Sequence, residues 1–162
     1  MTRRIELSEV AISTHCHATE DLDKVKKGLM NVLPSEIRSV AKLHTEVLHG
    51  YYGNPIVKLE TRVKGEDAYR VVRYVLSMIS DTDWRYLLSS LDMRYDVKDN
   101  KLFIRLDKQE AYLGNITLYE GDDSIKIAVS FSMIRSAEAV KDFLEKVLKE
   151  VKGNESEHVY SS

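Results

Sequence analysis

The stretch "SVAKLHTEVLHGYYGNPIVKLETRVK", Ser39 to Lys64, decides the fold. Both ends of it alternate. In the first run Ala41, Leu43, Thr45 and Val47 share one face, and Lys42, His44 and Glu46 the other. In the second, Val57, Leu59 and Val63 face one way and Lys58, Glu60 and Arg62 the opposite way. A period of two marks a strand with one buried face. Between the runs, Gly50, Gly53, Asn54 and Pro55 are turn formers, so the two strands pair as antiparallel neighbours. A sheet with one wet face needs cover on one side only.

The flanking sequence agrees. Val10, Ile12, Thr14 and Cys16 alternate with Ala11, Ser13, His15 and His17, a further half-buried strand. Ile5 and Leu7 stand in the opposite phase, which predicts a bulge or a late strand start before Val10. Thr19 reads as the N-cap of a helix carrying Leu22, Val25, Leu29 and Val32 and ending near Pro34. Val71, Val72, Val75, Leu76 and Ile79 form the apolar stripe of a helix from about Glu66 to Ile79. Trp84, Leu87, Leu88 and Leu91 suggest a short one after it. "KLFIRLD" is a strand, and "GNITLYEGDDSIKIAVSFS" reads as a hairpin turning at "EGDD". Ser136 caps a last helix with Val140, Phe143, Leu144, Val147, Leu148 and Val151 inward.

Strands in antiparallel pairs with one polar face each predict an α+β fold. It is a two-layer sandwich, one largely antiparallel sheet with helices on one face. A single domain over residues 1–152 and a flexible C-terminal tail over 153–162 account for the 162 residues. With 43% hydrophobic residues the chain can build a core, and a net charge of −2 argues against wholesale nucleic-acid binding without excluding a local basic face. One cysteine, Cys16, leaves no intrachain disulfide and suggests a reducing cytoplasm. No run is apolar and long enough to span a membrane, and the N-terminus lacks the apolar core of a secretory signal.

Four groups of residues could carry chemistry. The open face gathers Ser13, His15, His17, Lys42, His44, Glu46, Lys58, Glu60, Arg62, Arg105, Lys126 and Ser130. It is more basic than the chain as a whole. It reads either as a solvated sheet surface or as a platform for an RNA backbone or a partner protein. His15, His17 and His44 could approach zinc, but no fourth ligand or second-shell carboxylate is evident, so no metal or other cofactor is expected. No Gly-rich phosphate loop, "HExxH" or nucleophile elbow occurs, and an enzyme has no positioned nucleophile and base to stand on. "RLDKQEAYLG", Arg105 to Gly114, is either a self-satisfied strand end or a loop presenting Lys108, Gln109 and Tyr112, with Lys108 as a mobile phosphate donor. Tyr51 and Tyr52 are two rings in a turn that needs neither. They read either as one ring capping the sheet edge and one on the surface, or as a tyrosine that stacks on a base or sugar with Lys58 or Arg62 close by for phosphate.

"HCHATEDLDKV", "HGYYGNPI" and "RLDKQEAYLG", in this order and near these separations, resemble an archaeal family described as predicted RNA-binding, exosome-associated proteins. The resemblance runs from about Ile5 to Val151. The matching positions are His17, Thr19, Glu20 and Asp21; Gly50, Tyr52, Gly53, Asn54, Pro55 and Ile56; and Arg105, Asp107, Lys108, Gln109, Ala111, Tyr112 and Gly114. It implies a fold like that of the large-subunit ribosomal protein that binds 5S rRNA, and an archaeal cytoplasm.

A "GxxG" clamp and an aromatic strand motif are both missing, so backbone and shape recognition of structured RNA is the form expected. The expected function is a non-catalytic RNA-binding module with possible exosome or other RNA-processing partners. The expected contacts are Tyr51, Tyr52, Asn54, Lys58, Arg62, Arg105, Lys108, Gln109 and Tyr112. The alternative is a protein-interaction or assembly subunit that uses the open sheet face.

Overall fold

The computed structural model describes residues 7–50, 53–133 and 135–160, with side chains as far as residue 153. Six strands form one sheet: β1 (Leu7–Cys16), β2 (His44–His49), β3 (Pro55–Lys64), β4 (Tyr95–Asp96), β5 (Lys101–Leu106) and β6 (Ile125–Phe131). Their order is β2-β3-β1-β6-β5-β4, and every pair is antiparallel. Among the described residues seven helices accompany it: α1 (Leu22–Met30), α2 (Ser35–Arg38), α3 (Gly65–Met78), α4 (Asp81–Ser89), α5 (Leu91–Arg94), α6 (Lys108–Tyr112) and α7 (Ala137–Tyr160). This is the α+β arrangement that the alternation predicts.

The core lies on one side of the sheet. Val10 and Ile12 on β1, Leu59 and Val63 on β3, Leu102, Ile104 and Leu106 on β5, and Ile125, Ile127 and Val129 on β6 are all buried. The helices meet them with Leu29, Val71, Val72, Val75, Leu76, Val140, Phe143, Leu144 and Val147. Burying each such side chain is worth about 1.5–3 kcal/mol, which is what holds the two layers together. The bulge expected before Val10 is present as a register shift between Leu7 and Glu9, and it keeps Leu7 in the core.

Four details differ from expectation. The "GNITLYEGDDSIKIAVSFS" hairpin does not form. Only β6 is a strand, inserted between β1 and β5, while Leu118 makes a single bridge to Leu106. A central position satisfies both edges of β6, which a hairpin partner could not do. Residues 117–119 cover the outer edge of β5 instead, where β4 has ended: the Asp107 amide donates to the Thr117 carbonyl, and the Tyr119 amide to the Arg105 carbonyl, both at 2.9 Å. The first strand of the hairpin starts at His44 rather than at Ser39. Leu43 is therefore half-buried rather than covered, and Val47 is exposed. The N-cap of α1 is Asp21, whose carboxylate accepts from the Asp23 and Lys24 amides, and not Thr19. Lastly, α7 continues through Gly153, because one glycine costs a helix interior only about 1 kcal/mol.

Candidate nucleic-acid interface

Residues directly opposite across a ladder share a face, so the register fixes the composition of the open side. Lys58 lies between His15 and Glu46, Glu60 between Ser13 and His44, and Arg62 beside Ala11. On the other flank Arg105 faces Lys126, Phe103 faces Ala128 and Lys101 faces Ser130. The cations Lys58, Arg62, Lys64, Lys101, Arg105 and Lys126 outnumber the acids Glu9, Glu46, Glu60 and Asp96 on this face.

Arg62 donates to Glu9 at 2.6 Å and to Glu60 at 2.9 Å, yet its side chain stays 53% exposed. Those hydrogen bonds, Glu60 first and then Glu9, raise its pKa. Lys58 is 3.9 Å from Glu60, and Arg105 is 3.6 Å from Asp122. Exposed pairs of this kind are worth about 0–1 kcal/mol, so an arriving phosphate can exchange with the carboxylate at little cost. The Lys126 ammonium sits 4.7 Å from the Phe103 ring centre. His15 is held below its usual value, by burial first and then by Lys58, His17 and Lys108.

At one end of the sheet, α6 follows β5 and docks on α1. Gly28 lies against α6, where a Cβ would meet the Lys108 carbonyl oxygen and the Tyr112 amide nitrogen at 3.4 Å, an ordinary contact distance. The Asn31 amide donates to the Ala111 carbonyl at 2.9 Å, and the Asp107 side chain caps α6. This placement overturns the expectation of a mobile Lys108. Its ammonium donates to the His15 carbonyl at 2.8 Å and to Glu20 and Asp123 at 2.9 Å, and its side chain is 12% exposed.

The grouping weighed from His15, His17 and His44 carried no expected metal, and a different group of ligand-type side chains comes together around His17. His17 stands in the turn after β1, with Nε2 3.4 Å from Asp123. His17, Glu20 and Asp123 bring ligand-type atoms within 4.8 Å of one another, and the Lys108 ammonium bonds to both carboxylates. Burial tends to raise the Asp123 carboxyl, but the bond to Lys108, with His17 in support, outweighs it and holds the group below its usual value. Burial and then Glu20 push the Cys16 thiol up, away from reactivity.

Tyr112 is half-buried, its ring flanked by the ammonium groups of Lys27 at 5.2 Å and Lys24 at 5.8 Å. Gln109 is exposed beside it, and the two residues border a hollow of 380 Å³ against α1. In the β2–β3 turn the Gly50 amide donates to the Asn54 carbonyl, and Gly53 adopts φ 83°. Asn54 is exposed and lines a hollow of 280 Å³ with His17, Ala18 and Thr19. Tyr51 and Tyr52 lie outside the described residues. The β1–α1 turn thus stands between the β2–β3 turn and α6. Lys58, Arg62 and Arg105 belong to the sheet face, and Asn54, Lys108, Gln109 and Tyr112 to its end.

Two sets of residues were not foreseen. Glu20 and Asp123 were not recognised as the partners of Lys108; an acidic "EGDD" segment near a basic "LDK" was the available signal. Arg94, buried on α5, gave no sequence signal, since an arginine in a helix usually points to water. Among the described residues no helix is long and apolar enough to cross a membrane.

Residues 9–131 match a family model described as RNA binding. A protein of Methanocaldococcus jannaschii, described as uncharacterised, is 33% identical over 151 residues, covering 92% of this chain and 97% of its own. An RNA-binding protein of Pyrococcus abyssi is 32% identical over 153 residues, covering 90% of this chain and 98% of its own. A solved structure from Sulfolobus solfataricus, described as DUF54, superposes with a TM-score of 0.72 at 27% identity, covering 90% of this chain and 98% of that one. A second DUF54 structure, from Methanothermobacter thermautotrophicus, gives 0.70 at 27% identity over 89% and 99%. With the family model spanning most of the sheet and relatives matched along nearly their full length, the chain belongs to this RNA-binding family.

Proposed function

We propose that this protein is a non-catalytic RNA-binding module whose open sheet face receives the phosphate backbone of structured RNA. The observation that carries the reading is the set of cations on three of four adjacent strands, Lys58 and Arg62 on β3, Lys126 on β6 and Arg105 on β5, whose carboxylate partners are the half-buried Glu9 and Glu60 and the exposed Asp122. A flat array of this kind meets phosphates and riboses rather than base edges, so it favours shape over sequence. Asn54, Gln109 and Tyr112 extend the surface at the sheet end, where Tyr51 and Tyr52 also fall in the sequence. The net charge of −2 gives no long-range attraction and leaves affinity to this one face. The partner reading, docking on an exosome or other RNA-processing assembly in the cytoplasm, rests on the sequence resemblance alone, as does the likeness to the 5S-rRNA-binding ribosomal protein.

The test is a salt series of RNA affinity with Lys58→Ala, Arg62→Ala and Arg105→Ala. Each should weaken binding and lower the salt slope by about one, with melting temperature little changed. Variants that all bind like the parent would remove the sheet face from the interface. The assembly-subunit alternative would then be tested by co-purification from cell extract treated with ribonuclease.

A further inference from the structure

Where β4 stops short, α5 closes against the rim of the open face and leaves a hollow of 300 Å³. Its walls include Arg94, Arg105, Lys126 and Phe103. Arg94 is the unusual member. Its side chain is 7% exposed, so its charge has given up most of its water. Nε donates to the Ser90 hydroxyl at 2.7 Å, the guanidinium lies 5.3 Å from the Tyr86 ring centre, and a terminal nitrogen donates to Glu120. A buried guanidinium needs an anion. Here the anion comes from an exposed loop, and Glu120 is itself 49% exposed.

The other two cations are less well served. Arg105 has only Asp122 at 3.6 Å, on a side chain fully in solvent. Lys126 has no carboxylate partner among the described residues and rests on Phe103. Three cations thus surround Glu120, with the solvent-exposed Asp122 as the other acid nearby.

We infer that this hollow is a site for one phosphodiester group of the RNA strand, and that Glu120 stands in for the phosphate while the site is free. The inference rests on the RNA-binding reading and adds to it a specific anchor. A guanidinium presents paired N–H donors that match a phosphate at least as well as a carboxylate. Arg105 and Lys126 also belong to the open sheet face, so a strand lying on that face passes the mouth of the hollow. The phosphate replaces Glu120 on Arg94 and gains two further cations; the displaced carboxylate returns to water.

The test uses the full chain and a labelled RNA stem-loop, with affinity read by fluorescence anisotropy over a salt series. Glu120→Gln removes the competing charge while its amide oxygen can still accept from Arg94, and it should bind severalfold more tightly than the parent. Lys126→Ala should bind more weakly, with a salt slope smaller by about one. Inorganic phosphate at matched ionic strength should displace the strand no better than chloride. If the parent binds with a salt dependence but both variants bind as it does, or Glu120→Gln binds more weakly, the site is wrong, and the RNA-binding reading then stands on Lys58, Arg62 and Arg105 without Lys126. Selective displacement by phosphate would assign the hollow to the free anion and overturn the strand. A parent with no salt-dependent binding overturns both.

Discussion

Arg105 and Lys108 are three residues apart, and their surroundings have little in common. Arg105 projects from the last part of β5 onto the open face, 40% exposed, with one carboxylate 3.6 Å away. Lys108, one step into α6, is 12% exposed and gives hydrogen bonds to a carbonyl and two carboxylates. The first cation is available to a phosphate; the second fastens the β1–α1 turn, α6 and the loop before β6 to one another. A positive residue in a basic-looking segment is therefore no measure of positive surface. What decides is whether the chain has already supplied its anions.

The contrast breaks most visibly in stability. Lys108→Met strands Glu20 and Asp123 beside each other without their cation. Breaking a buried pair costs about 3–5 kcal/mol; both acids here are partly wet, which brings the expected loss to about 1–3 kcal/mol. Arg105→Ala should stay within about 0.5 kcal/mol of the parent. Thermal melts of the two variants suffice, and equal losses would erase the distinction.

Acid sharpens the same contrast. Asp123 has a depressed pKa in the folded protein, so its contribution is full above the unfolded value of 3.8 and is lost as pH falls through the folded one. His15 is also depressed, from 6.5, so the stability linked to its neutral form is present above that value and declines as pH falls below it. Melting temperature should therefore drop in two stages on acidification. His15→Gln should abolish the earlier stage and Lys108→Met the later one. A profile unchanged by either variant would contradict the assigned linkages.

The smallest effect lies in the core. Thr61 on β3 is wholly buried, and among the described residues its hydroxyl finds no hydrogen-bond partner. Leaving such a group unpaired costs about 1–3 kcal/mol, so Thr61→Val should be neutral or stabilising by up to about 1 kcal/mol. Destabilisation in a denaturant titration would show that the hydroxyl has a partner after all.

The sheet was legible because its signal is periodic. Val10, Ile12, Leu59, Ile127 and Val129 repeat every second residue and are all buried, and even the bulge at Leu7 could be read from a break in phase. Pairing was less legible. Residues 115–124 look like the first arm of a hairpin, but nothing local says that β6 will instead sit between two strands made elsewhere in the chain. On the open face, Lys58, Arg62 and Arg105 were found because alternation puts them there. Lys108 was misjudged and Arg94 missed, since both depend on contacts 15 to 93 residues away in sequence. Such contacts leave no trace in local pattern.

The central claim is that affinity for RNA comes from the cations of the open sheet face. The most direct measurement is the dependence of binding on salt for the parent and for Lys58→Ala, Arg62→Ala and Arg105→Ala combined in one protein. A parent slope of several, falling by about three in the triple variant while its melting curve is kept, is the predicted result. An unchanged slope in a folded triple variant, or a parent whose binding ignores salt, would contradict it.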